Sequence, residues 1–225
     1  EALPAWLAEA RPDAVCLQEI KSVDEGFPRE IFEAMGYRVE THGQKGFNGV
    51  AILSKRPLDE VAVRGLPGDE TDTHSRYIEA VVPRAESHDG GVVRIADLYL
   101  PNGNPFGTDK FAYKLAWMRR LQARVQRLLE LEETLLLMGD FNVIPSPEDV
   151  YAPAAWVDDA LFRPETRAHF RALTNLGLTD AIRAVNDQPG QYTFWDYQAG
   201  AWPKNNGIRI DHLLLSPHAV DRLET

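Results

Sequence analysis

In Thr134-Leu135-Leu136-Leu137-Met138-Gly139-Asp140-Phe141-Asn142 a continuous apolar run stops abruptly at a glycine and a carboxylate. An apolar run this short is a strand buried on both faces, and its carboxyl end delivers a polar loop. If the loop starts extended, Asp140 and Asn142 fall on one side and Phe141 on the other. A carboxylate that takes a proton from water, beside an amide that holds a phosphate oxygen, is a workable hydrolytic pair. An Asx-turn explains the same two residues without any chemistry.

Upstream, Thr108 and Asp109 open a helix of about six turns, with Phe111, Leu115, Met118, Leu121, Val125 and Leu128 along one face. Further back, Leu3, Trp6, Leu7 and Ala10 repeat at helical spacing until Pro12, and Ala14 to Leu17 is a short buried strand ending at Glu19. An amphipathic segment from Phe27 to Met35 closes at Gly36. Strand-like stretches follow at Tyr37 to Thr41, Gly49 to Leu53, Ile78 to Val82 and Val92 to Leu100. Downstream, Pro145, Pro147, Pro153 and Pro164 punctuate an irregular connection; a helix is expected from about Glu165 to Leu176, and Ile208 to Ser216 reads as a last strand. No repeat or flexible linker interrupts the pattern, which predicts one α+β or α/β body.

The chain has 225 residues, 24 basic and 34 acidic, for a formal charge of -10. That balance argues against indiscriminate coating of nucleic acid and against an anionic membrane surface. Cys16 is the single cysteine, so no intrachain disulfide forms, and no apolar stretch is long enough to span a membrane. A reducing cytoplasm is the expected compartment, and no targeting signal is visible.

Three carboxylates stand where apolar runs end or are interrupted: Glu19, Asp140 and Asp211. Singly, each is explained by a loop cap or an ion pair. Together, near a core, they call for a cation, and oxygen donors of this kind suit Mg²⁺ or Mn²⁺ rather than Zn²⁺. Tyr99-Leu100-Pro101-Asn102-Gly103 ends a strand with a phenol and an amide, in what is otherwise an ordinary Asn-Gly turn. Tyr192-Thr193-Phe194-Trp195-Asp196-Tyr197 sets four aromatics in six residues, as core or as the wall of a pocket for a sugar or base. Lys45, Lys55, Arg56, Arg64, Lys110, Lys114, Lys204 and Arg209 are available to phosphates, although a solvated face accounts for most of them.

Taken with Leu17-Gln18-Glu19-Ile20-Lys21, Gly46-Phe47-Asn48-Gly49-Val50 and Gly207-Ile208-Arg209-Ile210-Asp211, these blocks resemble, in order and spacing, bacterial exonuclease III and the apurinic/apyrimidinic endonuclease family. The resemblance covers nearly the whole chain. It implies a four-layered α/β/β/α sandwich of two packed mixed sheets flanked by helices, as a single endonuclease/exonuclease/phosphatase domain over 1–225. It also implies hydrolysis of the phosphodiester 5′ to abasic sites and 3′ to 5′ exonuclease action, by a Mg²⁺-dependent monomer on duplex DNA.

Carried over by position, Glu19 is the metal ligand and Asp140 orients or deprotonates the water. Asn142 and Asn102 hold the phosphate, with Tyr99 beside it. Asp211 orients a catalytic histidine. Gly46, Phe47, Phe194, Trp195 and Arg209 belong to the substrate surface, Phe194 and Trp195 walling the abasic-sugar pocket. The family's first strand, with its Trp-Asn-Val motif, and its closing Ser-Asp-His motif have no counterpart in these 225 residues, and strand alternation turns His212 away from the face of Asp211. Two other readings share parts of this pattern: a phosphodiesterase acting on phospholipid or inositol phosphate, and a non-catalytic DNA-binding module.

Overall fold

The computed structural model describes residues 2–58, 60–84, 91–198 and 200–224. They fall into two compact units, one comprising the stretch up to Tyr99 with Glu133–Gly139, the other Leu100–Glu132 and everything from Asp140 onward. The sequence pattern, read as a single body, does not display this division, because the chain crosses it at Tyr99–Leu100, Glu132–Glu133 and Gly139–Asp140 with no linker at any of them.

The first unit holds α1 (Ala2–Ala10), β1 (Ala14–Gln18), α2 (Arg29–Glu33), β2 (Arg38–His42), β3 (Val50–Ser54), β4 (Glu60–Arg64), β5 (Tyr77–Pro83), β6 (Val92–Tyr99) and β7 (Thr134–Asp140), whose last residue passes to the second unit. β3 lies between β1 and β2, antiparallel to both, with Ile52 opposite Cys16 and Glu40. All five of its residues are buried, since both of its faces are covered. Val50 and Ile52 pack against Ile78, Ala80 and Val82 of β5 and Ile95 of β6. Leu53, on the opposite face by strand alternation, packs with Leu7 of α1 and Phe32 of α2. Helices, a three-stranded sheet and a second sheet therefore form three successive layers, and each apolar side chain buried between them contributes about 1.5–3 kcal/mol.

In the second sheet of this unit, β4, β5, β6 and β7 lie side by side. β5 runs antiparallel to β4 and β6. Arg94 near the start of β6 pairs with Glu133 before β7, and Gly139 near the end of β7 lies against Leu98 near the end of β6, so these two strands run parallel. Gly139 has φ 137°, and a Cβ there would stand 2.0 Å from the Leu98 carbonyl oxygen. Only glycine allows that approach.

The second unit holds α3 (Asp109–Leu129), α4 (Pro164–Thr174), β8 (Thr179–Asp180), α5 (Ala181–Val185), β9 (Phe194–Trp195), β10 (Gly207–Ile208), β11 (Asp211–Leu215) and α6 (Pro217–Val220). α3 packs on α4. Thr108 stands at the N-cap position, but its hydroxyl donates backwards to the Pro105 carbonyl instead of accepting from an α3 amide. The proline-punctuated segment has a core of its own, with Ile144, Val150, Leu161 and Phe162 packed on Ile208 and Ile210.

The single last strand expected from Ile208 to Ser216 is broken. Gly207 and Ile208 pair with Trp195 and Phe194, while Leu214 and Leu215 pair with β8. At the break the Ile210 and Asp211 amides donate to the Thr193 hydroxyl, and the Arg209 amide donates to the Asp149 carbonyl. These bonds give the three amides partners in place of ladder bonds.

Candidate active site

In the first unit the candidate residues gather at the end of β1. Glu19 and Lys21 both have φ 53°, and this tight path is held by the glycine-rich loop: the Ile20 amide donates to Gly49 O and the Lys21 amide to Asn48 O, while the Gly46 amide donates to Lys21 O. Gly49 has φ 86°, and a Cβ there would lie 2.5 Å from Ile20 Cγ1. Gly46 thus holds the Glu19 loop through its backbone, and Phe47 is exposed beside it.

The Tyr99 hydroxyl donates to Glu19 Oε1, and Lys21 Nζ lies 3.0 Å from Glu19 Oε2. Tyr99 first and Lys21 after it hold the Glu19 carboxyl below the usual carboxylate range, against a partial opposing effect of burial, so it is ionised at neutral pH. Arg76, which the motifs do not single out, donates from Nη1 to Tyr99 O at 3.1 Å and places its guanidinium 4.7 Å from the centre of the Tyr99 ring. Its signal in sequence is only an arginine at the start of a strand.

In the second unit the loop after β7 folds on itself. Asn142 adopts φ 47°; its backbone N–H donates to Asp140 Oδ1 at 2.8 Å, and its Nδ2 donates to Asp140 Oδ2 at 3.1 Å and to Leu100 O at 2.9 Å. Asn102 Nδ2 donates to Asn142 Oδ1 at 3.1 Å. The structure therefore corrects the role expected for Asn142. Buried, with both amide hydrogens engaged, it orients Asp140, and the donor left for a phosphate oxygen is the second Nδ2 hydrogen of exposed Asn102.

Lys114 is also corrected. It stands on the buried face of α3, fully enclosed, donating to the carbonyls of Asn102 and Asn142, while the neighbouring Leu115 is only half-buried. Lys45, Lys55, Arg56, Arg64, Lys110 and Lys204 are exposed.

Arg209 is likewise no surface residue. Its Nε and Nη2 grip the two carboxylate oxygens of Asp149 at 2.7 and 3.3 Å, and its Nη1 donates to Asp180 at 2.7 Å. The guanidinium pins the β10 and β11 segment from inside, in place of the substrate contact expected from the motif. His212 is buried with its ring against Arg209 Nη1 and Val143 O. Burial first, then the Arg209 charge, bring it down to about 4, so it is a neutral core histidine. Asp211, on the alternate face, is pushed up by burial, with the Thr193 hydroxyl opposing. Among the described residues no imidazole donates to it.

Phe194 and Trp195 point apart, as neighbours in a strand do. Phe194 lines a pocket of about 170 Å³ together with Tyr151, Trp156, Ala201, Asn206 and Ile208. Trp195 is not among those residues. Its indole N–H donates to Asn205 and its ring meets Trp202 edge-on at 4.6 Å, which fastens the following loop. The shared wall expected of the two therefore reduces to Phe194, joined by Tyr151 and Trp156 from the proline-punctuated segment, which carried no sequence signal beyond being aromatic in a loop.

No three His, Cys, Asp or Glu side chains among the described residues gather into a metal cage. One ionised, exposed carboxylate at Glu19 nonetheless fits Mg²⁺, which keeps most of its waters and needs only one or two protein carboxylates beside substrate phosphate.

Residues 1–224 match the Endonuclease/Exonuclease/phosphatase family. The chain belongs to this family. An exodeoxyribonuclease III from Haemophilus influenzae is 34% identical over 98% of this chain and 84% of its own length. An exodeoxyribonuclease from Bacillus subtilis is 29% identical over 98% of the chain and 83% of its own. Among solved structures of the family, an AP endonuclease from Archaeoglobus fulgidus superposes with TM-score 0.89 at 32% identity, covering 97% of this chain and 82% of that one. The 3′ phosphatase NExo from Neisseria, solved with a product DNA hairpin, superposes equally well at TM-score 0.89 and 34% identity, over 96% and 81%. The α+β fold implied by the motifs is thus the fold of these family members.

Proposed function

We propose that this chain is a DNA-repair nuclease that hydrolyses the phosphodiester 5′ to abasic sites and removes nucleotides from 3′ ends of duplex DNA. The observation that carries the reading is the carboxylate of Asp140, fixed through both oxygens by Asn142 and set beside a free Asn102 donor, in a chain of this family. Asp140 takes a proton from the attacking water, whose oxygen bonds to phosphorus as the bond to the 3′ oxygen breaks. Asn102 donates to a non-bridging oxygen, where negative charge grows in the transition state. Glu19 would hold a divalent cation, Mg²⁺ or Mn²⁺, which when bound would supply positive charge to a phosphate. Phe194, Trp156 and Tyr151 offer an apolar wall to a sugar without its base. A paired base resists extrusion, so intact DNA gains less from that wall.

The test uses the intact protein on three duplexes, carrying an abasic analogue, a recessed 3′ end or a 3′ phosphate, with and without Mg²⁺. Cation-dependent incision 5′ to the abasic analogue and shortening of the 3′ end support the reading. Release of phosphate alone would restrict it to 3′-end cleaning. DNA left inert, or bound without cleavage, would refute it.

A further inference from the structure

We infer that Lys114 is a positioning residue, whose ammonium ties together the two backbone segments carrying Asn102 and Asn142 and so aims the Asn102 donor and the Asp140 carboxylate. The inference rests on the nuclease reading of this cluster and assigns it a member that no motif contains.

Lysine is almost never fully buried unless it is paired, yet Lys114 has no exposure, and among the described residues no carboxylate forms an ion pair with it. Its Nζ donates instead to two main-chain oxygens, Asn102 O at 3.0 Å and Asn142 O at 2.5 Å. Those residues are 40 apart in sequence, and each carries one of the amides described above. Gly103 makes the room: it has φ 86°, and a Cβ there would stand 2.6 Å from Lys114 Cδ.

A methionine would fill the same volume, so packing does not call for the charge. What the ammonium adds is a pair of charge-assisted hydrogen bonds that fix both carbonyls at once. Burial lowers its pKa to about 7, while Asp140 and Asp159 oppose that shift. Through Asn142 the tie reaches both oxygens of Asp140, and through the Asn142 side chain it reaches Asn102.

Displacement of a reacting group by about 1 Å can lower a rate about 100-fold. Lys114→Met is therefore expected to reduce kcat on abasic duplex by about 10- to 100-fold while KM stays within about threefold, because Lys114 touches no substrate. Hydrogen exchange should quicken selectively in residues 100–104 and 140–144. Thr166→Val is the control: it deletes another fully buried bond of this unit, Thr166 Oγ1 to Ala160 O at 2.7 Å, and should lower stability without changing kcat. Should the Met variant fail to fold, Lys114→Gln, which keeps an amide donor without the charge, should give an intermediate loss of kcat.

An unchanged kcat, an equal kcat loss in Thr166→Val, or uniform exchange across the unit would overturn the inference, as would failure of both Lys114 variants to fold. If the wild type cleaves no DNA, the nuclease reading fails by itself, and exchange in the two segments still decides whether Lys114 holds them.

Discussion

Arg209→Met separates a buried strut from a phosphate contact. Arg209 and its partner Asp149 are each 1% exposed in their side chains, and Asp180 is 13% exposed. Removing the guanidinium while leaving both carboxylates inside strands two buried charges, a change that typically costs about 3–5 kcal/mol. Arg183 also reaches Asp149, which offsets part of the loss and places the expected value near 3 kcal/mol.

The pH dependence follows from Asp149. Burial by itself would raise its carboxyl, but Arg209, Arg183 and Ser146 outweigh that and hold it below the ordinary range. A carboxylate depressed in the folded state stabilises above its unfolded value of about 4 and loses that contribution as pH falls through the folded value. The gap between wild type and Arg209→Met, measured by denaturant unfolding, should therefore be full at pH 6–7 and shrink below about pH 4. In parallel, the slope of log affinity for duplex DNA against log salt should not change, since no phosphate contact is lost. Unaltered stability with a slope reduced by about 0.9 would show that Arg209 faces DNA and that the buried arrangement is wrong.

Three further outcomes test the roles proposed for the cluster residues. Glu19→Gln should slow cleavage about tenfold more at limiting than at saturating Mg²⁺; equal loss at both concentrations would remove Glu19 as the ligand. Asp140→Asn should lower kcat by at least about 100-fold and leave abasic-DNA affinity within about threefold, because its role lies in the transition state; affinity falling in step with rate would contradict that. Phe194→Ala should narrow the preference for abasic over intact duplex about tenfold, with the salt slope unchanged, and a surviving preference would place recognition elsewhere.

Local patterns made much of this protein legible in its sequence. The buried run from Thr134 to Met138, the apolar, β-branched stretches of β5 and β6 and the long apolar stripe of α3 are properties of neighbouring residues, and each forms its element within a few positions of where the pattern puts it. The motif order named the family for the same reason, since Glu19, Tyr99, Asn102, Asp140 and Asn142 sit at element ends that local signals define. β4 escaped because only Val61, Ala62 and Val63 are apolar between Glu60 and Arg64, a run too short to stand out.

Partnership between distant residues was not legible. Lys114 and Arg209 look like surface cations in sequence, because a side chain's charge says nothing of what surrounds it. Asp149 and Asp180 become the partners of Arg209 from 60 and 29 residues away, and two carbonyls 40 residues apart take the Lys114 ammonium. Phe194 and Trp195 likewise share a motif yet face opposite ways. Periodicity and element ends are set by interactions along the chain and can be read from it, whereas the burial of a charge depends on which remote segments supply its hydrogen bonds, and that is decided only when the chain is folded.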